Sequence, residues 1–158
     1  SKEITSRGRS RQLRNLIEFA IAIEAAGNIV AKNLLPLALD RQKEGIHFSA
    51  EGLAELESMH DRIIANISLA SNVLISRDVD IARQLVEEKS ELSRHQRKSR
   101  KKHLKRLAAG LTESFETSDL HLETSLAFKE FNSQMATIAY PILSREGKLL
   151  HSRLVDTD

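Results

Sequence analysis

The amino-acid sequence predicts an all-α fold, an antiparallel bundle of about four long helices. Three observations carry that expectation. Hydrophobic residues make up 41% of the 158 residues while aromatics are only 4%, so the core must be built from Leu, Ile, Val and Ala, which pack helices well. Two prolines and six glycines are too few to punctuate a fold of many short strands. Apolar residues recur at spacings of three and four over windows far longer than a strand.

The first helix is expected from about Ser10 to Arg41, behind a flexible segment 1–9, with Leu13, Leu16, Ile17, Ala20, Ile21, Ile23, Ile29, Val30, Leu34 and Leu37 as its apolar positions. Pro36 should kink or shorten it, because proline lacks the N–H and clashes with the preceding turn. Lys43-Glu44-Gly45 reads as its stop. Ser49 is a good N-cap for a second helix, with Glu51 in the first turn. That helix carries an apolar stripe at Leu53, Leu56, His60, Ile63, Ile67, Ala70 and Leu74 and ends near Ser76-Arg77.

Asp78 caps a third helix with Ile81, Ala82, Leu85, Val86 and Leu92 inward. From Ser93 to His103 no hydrophobic residue occurs, and the pattern resumes at Leu104, Leu107 and Leu111. Nothing in the gap breaks a helix. One long helix is expected, its middle solvated on every side or turned toward a partner outside the chain. Thr117-Ser118-Asp119 starts the fourth helix, with Leu122, Leu126, Phe128, Phe131, Met135, Ile138 and Ile142 inward. Pro141 should disturb its last turns and Gly147 end it, so that the bundle covers 10–154 with a tail at 155–158. Sliding the first helix by 105 residues onto the fourth matches Glu18 with Glu123, Ala22 with Ala127, Ala31 with Ala136 and Pro36 with Pro141, a pattern that suggests a helical repeat.

Composition narrows the function. Without cysteine there are no disulfides, thiolate zinc sites or thiol nucleophiles. The most apolar stretch, Phe19 to Leu39, is broken by Glu24, Asn28, Lys32 and Asn33, so no apolar run approaches the ~20 residues of a membrane span. The leading Ser1-Lys2-Glu3-Ile4-Thr5 reads as an internal start of something longer. Charge is uneven. Arg94, Arg97, Lys98, Arg100, Lys101, Lys102, Lys105 and Arg106 occupy one window without an acid, leaving 16 basic against 22 acidic residues elsewhere, a net of −6. A single-sign run of this kind fits an anionic membrane surface, an acidic partner or nucleic-acid phosphate. Few aromatics for base stacking and no recognisable binding motif disfavour nucleic acid.

Catalytic constellations are missing from the sequence. No nucleophile with an oriented base, Gly-rich phosphate loop or apolar carboxylate pair stands out, and no enzyme and no cofactor is expected. Di-iron bundles need two Glu-x-x-His motifs; Glu57-Ser58-Met59-His60 is one, and a core or boundary position is the favoured account of His60. The histidines show no metal-binding spacing. Glu87, Glu88, Glu91 and Glu24 are weak metal candidates, with a solvated helix face as the favoured reading.

Beyond the physical chemistry, Asp78-Val-Asp-Ile-Ala-Arg-Gln-Leu-Val-Glu-Glu-Lys89, Arg100-Lys-Lys-His-Leu-Lys-Arg-Leu-Ala-Ala-Gly110 and Phe131-Asn-Ser-Gln-Met-Ala-Thr-Ile-Ala-Tyr-Pro-Ile-Leu143 resemble the PhoU-like region at the C-terminus of bacterial sodium/phosphate cotransporter family proteins. Ile23-Glu24-Ala-Ala-Gly-Asn-Ile29 and Phe48-Ser-Ala-Glu-Gly52 fit it too, so the resemblance spans about residues 10 to 154. It implies spectrin-repeat-like packing and a regulatory domain of a sodium-dependent phosphate transporter on the cytoplasmic face of the bacterial inner membrane. The implied partners are a transmembrane transporter portion of the same polypeptide, anionic lipid or phosphate-signalling proteins, and further copies of the chain. Several PhoU proteins bind metal through Glu/Asp-x-x-x-Asp motifs. Here the matching pairs are Lys89 and Ser93, Glu24 and Asn28, and Lys129 and Ser133, and a lysine ammonium has no lone pair to give a cation. The alternative reading is a soluble helical regulator that binds nucleic acid or metal.

Overall fold

The computed structural model describes residues 2–110 and 115–145. They form α1 (Lys2–Ile29), a π-helical turn (Val30–Leu34), α2 (Leu35–Glu44), α3 (Ala50–Ser76), α4 (Val79–Ala108), α5 (Phe115–Ala136), a 3-10 turn (Thr137–Ala139) and α6 (Tyr140–Arg145). No strand occurs among the described residues. The two turns join their flanking helices end to end, so four long rods pack together as an all-α bundle. The first rod begins at Lys2 rather than near Ser10. The end expected at Gly147 lies outside the described residues.

Local chemistry fixes the joints. Gly45 takes the left-handed conformation (φ 64°), where its N–H bonds to the Arg41 carbonyl and stops α2. Ser49 Oγ accepts from the Gly52 N–H at 3.1 Å, and Asp78 Oδ1 accepts from the N–H groups of Asp80 and Ile81 at 2.8 and 3.0 Å. Each cap satisfies donors that a helix start leaves open. Arg77, at φ 55°, makes the reversal between α3 and α4 tight enough to run them antiparallel.

Neither proline breaks its rod. Pro36 follows the π-helical turn, in which the Leu35 N–H reaches back to the Val30 carbonyl, and it sits in the first turn of α2. The wider turn rearranges the ladder ahead of a residue with no N–H, so the rod continues. Pro141 follows the 3-10 turn. The two positions that match under the 105-residue shift therefore share a design, a non-α turn just before proline.

The core has two parts. Ala22, Ala26, Ala70, Val73, Ala82, Leu85, Met135, Ala136, Ala139 and Leu143 form the larger one, where alanines let four rods approach closely. Met59, Ile63 and Leu92 form the smaller, flanked by Phe128 and Phe131. Asn66, itself buried, donates from Nδ2 to the Asn132 Oδ1 at 2.9 Å. That bond makes a polar residue affordable on the inner stripe of α3, which runs through Leu56, Met59, Ile63, Asn66, Ala70 and Val73. The expected stripe is thus rotated: Leu53 is exposed, and His60 is an exposed rim residue beside the Phe128 ring. On α5, Leu126 is likewise exposed while Ser125 and Asn132 point inward.

The first rod uses only one side for packing. Ala22 and Ala26 are buried and Phe19 half-buried, whereas Leu13, Leu16, Ile17, Ile21, Ile23 and Val30 are exposed. By length and composition alone, the Thr5–Glu44 helix suffices to cross a membrane. The sequence expectation differed because Glu24, Asn28, Lys32 and Asn33 were counted as breaks, yet only two of the four are charged.

Candidate functional site

The basic window lies on α4, and the structure divides it. Leu92, Gln96, Ser99 and His103 are all buried, spaced four, three and four residues apart. The helix therefore keeps its inward stripe through the gap in hydrophobicity, with polar residues in the apolar places. The expectation of a middle solvated on every side is corrected: burial there is supported by partners on α3 and α5, not by hydrophobicity.

Seven of the eight basic residues are exposed and Arg106 is half-buried. Three are paired. Arg94 Nη1 lies 2.7 Å from Glu91 Oε1, and Arg106 Nη1 lies 2.7 Å from Glu51 Oε2. Lys102 Nζ is 3.5 Å from Glu55 Oε1 and 3.6 Å from Glu51 Oε1. Arg97, Lys98, Arg100, Lys101 and Lys105 carry no ion pair among the described residues, and they make up the ridge of uncompensated charge.

Beneath the ridge the polar stripe meets α3 and α5. Ser99 Oγ donates to Glu55 Oε2 at 2.5 Å. His121, fully buried on α5, places Nε2 3.1 Å from the Gly52 carbonyl and 3.8 Å from Glu55 Oε2. Its ring stacks on His103, centroids 4.1 Å apart and 30° between planes, and meets the Phe48 ring edge-on at 5.9 Å. Glycine at 52 makes this approach feasible. A Cβ there would stand 3.1 Å from Ser49 Oγ and 3.3 Å from His121 Cδ2.

The environment sets the protonation states. Burial, then the neighbouring His103, pushes His121 down to about 4. His103 is also lowered, by burial and then by the Arg106 charge. Burial alone would raise Glu55, but the Ser99 hydrogen bond and the Lys102 charge outweigh it and hold the carboxyl below its ordinary range. At neutral pH the cluster is two neutral imidazoles and one carboxylate. Both ring nitrogens of His103, Nδ1 of His121, and Nε and Nη2 of Arg106 are buried without a hydrogen-bond partner among the described residues.

Among the described residues, Glu55, His103 and His121 alone bring three potential ligand atoms together, all within 4.8 Å of one another. The sequence-predicted acids are elsewhere. Glu24 and Glu87 are exposed, Glu88 lies 3.4 Å from Arg62 Nε, and Glu91 is bound to Arg94. The three clustered residues sit on three different helices, so no sequence spacing joins them. The one legible signal was the position of His103 in register with Leu85 and Leu92. An open groove of about 390 Å³ between the first rod and α5 is lined by Lys32, Asp40, Glu123 and Glu130 among others, an acidic balance unsuited to an anion.

Comparison with known proteins adds a direction. A Salmonella typhimurium protein named "Putative inorganic phosphate export protein YjbB" is 33% identical over 136 residues, 86% of this chain and 25% of that protein. An Escherichia coli protein of the same name is 31% identical over 144 residues, 91% of this chain and 26% of that protein. The chain thus spans about a quarter of the length of the curated relatives it matches. No family model matches the chain, and no solved structure matches it.

Proposed function

We propose that this chain is a non-catalytic helical module of a phosphate-transport protein, acting at the cytoplasmic face of a bacterial inner membrane. The observation that carries the proposal is its similarity, over 136 and 144 residues, to proteins named for inorganic phosphate export. In this reading the rest of the polypeptide supplies the transmembrane path and the module regulates it. The finer assignment, a PhoU-like domain of a sodium/phosphate cotransporter, rests on the resemblance of Asp78–Lys89, Arg100–Gly110 and Phe131–Leu143 to that family.

Two features of the bundle support work beside a membrane. The ridge of Arg97, Lys98, Arg100, Lys101 and Lys105 suits anionic head groups or acidic loops, and positive charge close to a cytoplasmic surface is favoured by about 1 kcal/mol per residue. The first rod turns Leu13, Leu16, Ile17 and Ile21 outward. The non-catalytic reading rests on the sequence, in which no nucleophile with an oriented base, Gly-rich phosphate loop or apolar carboxylate pair stands out.

The test is the coding sequence upstream of Ser1. Several apolar spans in the same reading frame are expected. A start codon with no such spans would overturn the transporter-module reading.

A further inference from the structure

We propose that Glu55, His103 and His121 form a binding site for one divalent transition-metal ion of the zinc class, clamping α3, α4 and α5 together. The inference is independent of the transport reading. It also differs in residues and place from the acid motifs of the PhoU resemblance, whose corresponding positions carry Lys89, Ser93, Lys129 and Ser133.

The geometry argues for a ligand. Each residue comes from a different helix, and the ligand atoms lie within 4.8 Å of one another. His103 is 5% exposed and His121 0%, yet three of their four ring nitrogens have no hydrogen-bond partner among the described residues. Buried polar atoms without partners carry a standing desolvation cost. A simple packed histidine pair leaves that cost in place; a shared cation takes up a ring lone pair and removes part of it. The two neutral rings offer lone pairs and Glu55 a negative charge, so the set needs little proton release to bind a metal at neutral pH.

Donor chemistry selects the ion. Two imidazoles and a carboxylate suit zinc and its neighbours, whereas calcium and magnesium ask for oxygen alone. Ligand bonds of about 2.0–2.1 Å put tetrahedral ligand atoms roughly 3.3 Å apart. Glu55 and His121, at 3.8 Å, are already near that spacing. The wider separation to His103 closes by rotation of a ring that has no hydrogen-bond partner among the described residues. Ser99 on Glu55 is an outer contact of the kind that orients metal ligands, and His121 Nε2 exchanges its approach to the Gly52 carbonyl for the ion. Lys102 and Arg106 oppose a cation, and the single Glu51 carboxylate that both approach offsets them in part. Three protein ligands leave a fourth position for water or an anion.

The experiment titrates the metal-free chain, residues 1–158, with Zn²⁺ by calorimetry, and with Co²⁺ by visible absorption. One ion per chain and the intense visible bands of tetrahedral cobalt are expected. Glu55→Gln, which keeps the side-chain shape and the Ser99 contact, should weaken Zn²⁺ by at least about tenfold and dim the cobalt spectrum, with far-ultraviolet circular dichroism unchanged. His103→Gln should do the same, while His60→Gln, at an exposed rim residue, should leave binding intact. No Zn²⁺ binding by the unaltered chain, or binding that survives Glu55→Gln at full strength, would overturn the proposal.

Discussion

The ring of His121 stacks on the ring of His103 at 4.1 Å between centroids, so that two titratable groups from different helices share one buried space. Folding therefore excludes protons from both. The folded value of His121 is lowered from 6.5 to about 4, which means the unfolded chain binds protons first as pH falls. Its contribution to stability is present above about pH 6.5 and is lost progressively down to about pH 4. The loss is on the order of 3 kcal/mol for this one group, and the lowered His103 and Glu55 act in the same direction. Urea midpoints of the metal-free chain should fall steadily from pH 7 to pH 4.5, with a shallower fall in His121→Gln. Equal slopes for both proteins would contradict the account of this cluster.

Two glycines on helices should respond oppositely to the same substitution. At Gly52 a Cβ meets Ser49 Oγ at 3.1 Å and His121 Cδ2 at 3.3 Å, inside ordinary contact. Gly52→Ala should destabilise by about 1–2 kcal/mol as the cap and the ring give way. At Gly27, inside α1, nothing lies within 4 Å, and Gly27→Ala should stabilise by about 0.5–1 kcal/mol. Chemical denaturation of the two variants checks the pair.

The uncompensated ridge should bind anionic surfaces in a salt-dependent way. Replacing Arg97, Lys98, Lys101 and Lys105 with Gln removes four charges that have no ion pair among the described residues, while Lys102 and Arg106 keep their bonds to Glu51. Sedimentation with vesicles containing anionic lipid should show the unaltered chain bound at low salt and released as salt rises. The four-fold variant should lose about 1 kcal/mol of binding for each charge that approaches the surface. Unchanged binding would remove lipid as the ridge's partner.

Much of the scaffold was legible because local chemistry wrote it. Gly45, Ser49 and Asp78 announced the helix ends, and the continuity of α4 through its basic run followed from helix propensity alone. The prolines were misread because a π-helical or 3-10 turn absorbs the missing N–H, a rearrangement no propensity encodes. The face of α3 was misread because Met59 and Asn66 keep the same three-four spacing as Leu53 and His60, and only the Asn132 amide across the core decides between them. The basic residues were found by composition; Arg94 pairs within its own helix with Glu91, but the pairing of Lys102 and Arg106 depends on Glu51 and Glu55 from another helix. The cluster of Glu55, His103 and His121 was invisible for the same reason, since each residue is unremarked until three helices meet. Burial of Gln96, Ser99 and His103 could have been read from their register with Leu92, had spacing been weighed above hydrophobicity.

The proposed role of this bundle in phosphate transport is tested most directly by phosphate flux in bacterial cells. Radiolabelled phosphate retention and release would be compared between cells carrying the full-length polypeptide and cells carrying it with residues 1–158 deleted, with membrane abundance of both forms matched. The account predicts an altered rate or set-point of phosphate movement in the deletion. Identical flux and internal phosphate in the two strains would contradict it.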